Sequence, residues 1–421
     1  VSAAGDLAAS GLIGHWQGQW VREGSALQVW VDFTRSDSGY AGSFGSEALR
    51  VLDIPFRSVQ SDTSGVRWLL VGDATTSRFS GRLAGDRLSG GFEDGASSGS
   101  FELLRTHQSS APPYATEEVR FRHGEVTLAG SLLMPATRGP HPALVFVHGS
   151  GPEARYAERF LADRFARAGF AALIYDKRGV GASTGDWQRA DFDALAGDGV
   201  EALRMLSRDP RVRTDAIGLY GHSQGGTLAP LIASRWPDIA FVIASAGGGV
   251  PPPEAERYSY RNYLGVARLH GTDSLRALAY IDAIVRIAYG GEPWTRADSA
   301  ARANSREKWF SDIPDSTNVF WWLAPRTAGY NPVGYWRRVK APVLLIYGER
   351  DERVPVESSL RNIRAALRAA GNTRVTVRVF SNCDHTFRIT ESAGGKFQWP
   401  RTPEGYLETL IGWASSMIPA R

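Results

Sequence analysis

Sulfur is nearly missing from this sequence: it holds one cysteine, Cys383, and three methionines. A lone thiol excludes an internal disulfide and any metal site built on several cysteines. Lysine is almost as scarce. It stands only at positions 177, 308, 340 and 396, and arginine supplies the rest of the 48 basic residues. Against 44 acids these leave a formal charge of +4, with no basic block long enough to track a nucleic-acid backbone. No apolar run approaches the roughly 18 residues of a membrane-spanning helix. The Arg- and Ala-rich usage resembles GC-rich bacterial coding. Val1-Ser2-Ala3-Ala4-Gly5 is compatible with a mature N-terminus after signal-peptide removal, and equally with a trimmed chain. Export to the periplasm or medium is the expectation.

Glycine and serine are plentiful, and in one place their arrangement is chemical. Tyr220-Gly221-His222-Ser223-Gln224-Gly225-Gly226 lies between the apolar run Ala216–Leu219 and the helix-like Thr227–Ala233. This is a G-x-S-x-G pattern between a strand and a helix. A turn that tight leaves no room for side chains two residues either side of the serine. It exposes the hydroxyl of Ser223 near a helix N-terminus, where developing negative charge is favoured.

Serine needs a base to become a nucleophile at neutral pH. With eight histidines in the chain, the base is sought by elimination. His15 lies near the N-terminus, and His107, His123 and His141 precede the expected core. His148 sits in a Gly-rich loop, His222 inside the serine turn and His270 in a long insertion. His385 remains, in a loop after the alternating strand Val375–Phe380. The acid is expected after the apolar run Pro342–Tyr347. Glu349, Asp351, Glu352 and Asp384 compete. Asp351 is favoured because Gly348-x-x-Asp351-x-x-Val354-Pro355 puts it in the turn after the strand, from which a carboxylate orients an imidazole. Cys383, two residues before His385, reads as a small packing residue.

The order Ser223, Asp351, His385 resembles that of the α/β-hydrolase superfamily. Ala143–Pro152 looks like its strand and oxyanion loop, and Tyr175–Ser183 like its D-x-R-G-x-G-x-S turn. The similarity runs over about residues 117–420. It implies an oxyanion hole from the N–H of Gln224 and a second N–H at Ser150, with Gly151 as the alternative. It implies no cofactor and no metal. His148 is expected to brace its loop, and Asp176 and Arg178 to hold a turn.

Residues 1–108 read differently, with short alternating runs such as Leu27–Phe33. Tyr40–Phe44, Phe79–Leu83 and Leu88–Phe92 share an apolar–small–Gly–x–apolar pattern, and Gly85-Asp86 suits a hairpin turn. A small antiparallel β-sheet or partly open barrel of six to eight strands is expected. Leu12–Gly18 resembles the first strand of lipocalin-like β domains. Residues 109–116, with Pro112-Pro113, read as a linker. From 117 to 421 strands and helices alternate, as in an α/β fold with a mostly parallel sheet flanked by helices. Helical spacing appears at 158–168 and 192–207. At about 248–335 the alternation gives way to an aromatic-rich, helical stretch, where this superfamily commonly inserts a cap. Most of its aromatics are expected in the cap's own core, with Tyr258, Tyr260, Phe320, Trp321 and Trp322 facing a pocket.

The expected function is a serine hydrolase acting on small-molecule carboxylic esters. A peptidase or aminopeptidase of the same fold would anchor an ammonium group on cap acids such as Glu254, Glu256 or Asp273. An acyl thioesterase is a further alternative. A non-enzymatic binding protein predicts a degraded triad, whereas every member is present.

Overall fold

The computed structural model describes residues 11–37, 39–72, 75–95, 97–106, 112–390 and 396–419. Val1–Gly5, His107 and positions 109–111 of the expected linker lie outside the described residues. Two units emerge. The first holds residues 1–112 together with 159–161 and 388–402; the second holds 113–158, 162–387 and 403–421. Nothing in the local pattern of 388–402 signals membership of the first unit.

In the first unit, β1 (Gly14–Arg22), β2 (Ser25–Ser36), β3 (Gly39–Ser46), β4 (Val51–Pro55), β5 (Ser58–Asp62), β6 (Gly65–Val71), β7 (Thr76–Ala84), β8 (Arg87–Asp94) and β9 (Ser97–Thr106) form one antiparallel system. Because β2 pairs with both β1 and β3, eight strands close into a barrel; β4 pairs with β3 alone. Closure removes the free edges that a partly open sheet would leave. Period-two alternation aims Leu27, Val29, Val31 and Phe33 of β2 inward. The interior is filled with aromatics: Trp20 stacks on Phe44 at 4.9 Å, and Trp68 on Phe79 at 4.9 Å. These rings belong to one packed apolar cluster of the first unit. Within the same unit, Trp399 of segment 388–402 donates from Nε1 to the Ser25 carbonyl.

In the second unit the hairpin β10 (Tyr114–His123) and β11 (Val126–Pro135) leads into the sheet. β10 starts inside the stretch read as linker. The remaining strands are β12 (His141–Val147), β13 (Ala171–Tyr175), β14 (Val212–His222), β15 (Phe241–Ser245), β16 (Val343–Gly348) and β17 (Val375–Phe380). Their order is β10-β11-β13-β12-β14-β15-β16-β17, parallel from β13 onward. β13, β15 and β16 are buried along their whole length, as strands covered on both faces must be. Among the described residues the α-helices are α1 (Arg159–Arg167), whose first three residues fall in the first unit, and α2 (Phe192–Ser207), α3 (Gln224–Arg235), α4 (Pro252–Tyr263), α5 (Gly271–Tyr289), α6 (Trp294–Asn304), α7 (Val319–Thr327), α8 (Pro332–Trp336), α9 (Val356–Ala369) and α10 (Tyr406–Ser416).

Helices α4 to α8 fill the gap between β15 and β16, where the cap was expected. Tyr280, Ile281, Ile284, Val285 and Trp309 form its own core. Trp321 packs against that core and donates to the Pro314 carbonyl, and Trp322 lies under the Arg326 guanidinium at 3.3 Å. Of the aromatics expected at a pocket, Tyr258 reaches the Asp351 loop: its hydroxyl donates to the Asp351 carbonyl at 2.8 Å.

Candidate active site

The carboxyl ends of four parallel strands present the candidate residues, the edge at which open α/β sheets bind ligands. The loop after β12 carries His148 to Gly151, β14 runs into Ser223, and the loops after β16 and β17 carry Asp351 and His385.

Ser223 occupies the one-residue turn between β14 and α3 with φ 54 and ψ −114. A non-glycine residue is held there only when its surroundings over-determine it. The surroundings are backbone. A Cβ on Gly221 would sit 2.3 Å from the Gly225 carbonyl group, and one on Gly225 would sit 2.3 Å from the Val147 oxygen. The Ser223 amide donates to the Ser245 carbonyl, and the Thr227 amide to the Ser223 carbonyl.

The structure brings Ser223, His385 and Asp351 together. His385 Nδ1 lies 2.8 Å from Asp351 Oδ2, and Nε2 lies 2.8 Å from Ser223 Oγ. A carboxylate only accepts, so Nδ1 carries the proton and Nε2 is the acceptor for the serine hydroxyl. Asp351 is buried, and its second oxygen accepts from the amides of Arg353 and Val354, both at 2.8 Å. The competing acids do other things. Glu349 accepts from the Asn382 amide, Glu352 from the His385 amide, and Asp384 from Thr386. All three shape the loop that carries the histidine. Cys383 is buried, with its thiol donating to the Ser381 carbonyl.

Gln224 opens α3, so its N–H has no carbonyl of the helix behind it. The Gly149 amide is occupied by the Glu153 carboxylate at 2.7 Å. The amides of Ser150 and Gly151 donate to no protein acceptor among the described residues, so both remain candidates for the second donor. His148 is buried beside Tyr175, and its Nε2–H donates to the Tyr175 carbonyl. Burial, reinforced by the Lys177 charge, pushes His148 down to about 3 and keeps its ring neutral.

Asp176 and Arg178 belong to buried networks. Asp176 accepts from Arg155 through backbone and guanidinium and from the Ala182 amide, closing the turn 176–182. Burial works to raise this carboxyl, but the Arg155 hydrogen bonds outweigh it and hold it below the ordinary range. Arg178 pairs with Asp198, which also meets His123.

Lys177, between them, stands at the unspecified position of the D-x-R-G-x-G-x-S pattern. It is 3% exposed, and its ammonium donates to Gly149 O at 2.8 Å, Gly151 O at 3.1 Å and Gln224 Oε1 at 2.9 Å. The available signal was scarcity: it is one of four lysines in a chain that otherwise uses arginine.

A family model described as serine aminopeptidase, S33, matches residues 138–272, and one for the prolyl oligopeptidase family matches 293–401. The chain is 24% identical over 305 residues to the uncharacterized peptidase YuxL of Bacillus subtilis, an alignment spanning 69% of this chain and 37% of that protein. It is 23% identical over 296 residues to the esterase EstD of Thermotoga maritima, spanning 68% and 64%. The chain thus spans less than two thirds of the length of both. A solved esterase structure from Pyrococcus furiosus aligns with a TM-score of 0.48 and 18% identity, over 74% of this chain and 94% of that one. With the parallel sheet order, the strand–serine–helix turn and the two family matches in hand, the chain belongs to the α/β-hydrolase superfamily.

Proposed function

We propose that this protein is a serine hydrolase that cleaves carboxylic esters through an acyl-enzyme. The observation that carries the reading is the unbroken relay Asp351–His385–Ser223, with 2.8 Å at each link. His385 Nε2 takes the hydroxyl proton as Ser223 Oγ attacks the ester carbonyl. The N–H of Gln224 and that of Ser150 hold the oxyanion. Asp351 keeps the imidazole in the required tautomer and stabilises the imidazolium. The alcohol leaves with the proton from His385, and water, deprotonated by the same ring, releases the acid. The esterase EstD relative supports ester chemistry.

A second reading, a peptidase acting on substrates with a free ammonium group, draws on the two family matches and on Glu256. This carboxyl is half-buried on α4. Burial raises it, with Arg353 and a Tyr289 hydrogen bond pulling the other way. Neighbouring residues of α4 bind the acid loop: Tyr258 donates to the Asp351 carbonyl and Asn262 to that of Glu352. An ester assay beside an aminoacyl-anilide assay, each with Ser223→Ala, separates the two readings.

A further inference from the structure

The proposed oxyanion hole takes its donors from two separate elements, the loop after β12 and the first residue of α3. Their relative placement decides whether both reach one oxygen, since such donors work at about 2.7–3.1 Å from it. Lys177 touches both elements. Its ammonium spends its three donors on Gly149 O, Gly151 O and Gln224 Oε1.

The Gly149 contact has a geometric consequence. The only cis peptide among the described residues is Gly139-Pro140, so the peptide joining Gly149 to Ser150 is trans. In a trans peptide the carbonyl and the following N–H point to opposite sides. Anchoring Gly149 O on Lys177 therefore turns the Ser150 N–H away from the lysine. Donation from a cation to that carbonyl also polarises the peptide and strengthens its N–H as a donor. The Gly149 amide, which would otherwise compete, is held by Glu153. The Gln224 contact fixes the side chain of the residue whose amide supplies the other donor.

We propose that Lys177 is the positioning residue of the oxyanion site: it ties the Ser150 peptide to Gln224 so that the two N–H groups keep one fixed geometry. This rests on the Ser223 hydrolase reading. Burial pushes the Lys177 ammonium down to about 8, with Glu153 and Asp198 pulling the other way. Burying the charge costs stability, and the fold carries that cost at this spot.

The test compares Lys177→Met, Gln224→Met and Ser223→Ala with wild type, using p-nitrophenyl butyrate and a thermal-unfolding scan. Lys177→Met is expected to lower kcat about 30-fold or more while KM stays within about 3-fold, the signature of lost transition-state stabilisation. Gln224→Met keeps the backbone donor, cuts one of the three ties at a half-buried position, and is expected to lower kcat about 3- to 10-fold. If Lys177→Met does not fold, Gln224→Met carries the test. A kcat within about 2-fold of wild type in the folded variant, or a loss confined to KM, overturns the proposal. Ser223→Ala separates the two levels. An inactive Ser223→Ala beside a fully active Lys177→Met defeats the lysine proposal alone; an active Ser223→Ala defeats the hydrolase reading beneath it.

Discussion

Asp351 serves the His385 ring with one carboxylate oxygen and its own loop with the other: Oδ2 lies 2.8 Å from Nδ1, while Oδ1 accepts from the amides of Arg353 and Val354. The carboxylate is thereby fixed from behind before it meets the imidazole.

Asp351→Asn keeps an acceptor for the two amides but presents a neutral amide to the ring, so the fold should survive and the tautomer should not. The expected loss in kcat is about 10⁴-fold. Glu352→Gln, at an exposed acid that accepts from the His385 amide and pairs with Arg353 at 3.9 Å, should stay within about 5-fold of wild type. Steady-state kinetics of the two variants check this. A large loss in Glu352→Gln with Asp351→Asn active would reassign the acid.

The serine turn should not tolerate a methyl group on either flank. Gly221→Ala and Gly225→Ala each drive Cβ to 2.3 Å from backbone atoms. Each is expected to cost about 3 kcal/mol or more. Gly412→Ala, in the interior of α10 with open space around the new Cβ, should instead stabilise by about 0.5–1 kcal/mol. Denaturant unfolding of the three variants tests the contrast.

His148 links stability to acid. Its folded pKa of about 3 lies below the ordinary 6.5. Between those values the unfolded chain binds a proton that the folded chain refuses. Stability from this group is thus full above about pH 6.5 and falls as pH drops toward 3, with a slope up to about 1.4 kcal/mol per pH unit. His148→Gln should reduce the slope of unfolding free energy against pH across that window by nearly one proton. An unchanged slope would show that the ring is not held neutral.

Legibility in the sequence followed range. Ser223, the apolar strands and the barrel's alternation announce themselves within a few residues, because a tight turn and a pleated strand each constrain their immediate neighbours. Parallel strands bring loops distant in sequence to one edge, so the loops carrying Asp351 and His385 were sought from strand order as well as motif. Lys177 escaped because its meaning lies in three acceptors from two other segments, and a lone lysine has no local pattern. Trp321 was expected at a pocket, yet a run of three aromatics on a nine-residue helix must turn one toward the cap core, and Trp321 is that one. Barrel closure was likewise hidden, since it depends on β2 pairing with β3 as well as β1. Segment 388–402 gave no sign of its unit because it carries no strand or helix period to read.

The most direct measurement of the central claim is serine-dependent turnover of p-nitrophenyl esters, from acetate to palmitate, beside aminoacyl p-nitroanilides, with Ser223→Ala in parallel. Ester hydrolysis with little anilide cleavage is expected, lost by about 10⁴-fold or more in a folded Ser223→Ala. Full activity in Ser223→Ala would contradict the nucleophile, and dominant anilide cleavage would contradict the ester reading and point to Glu256.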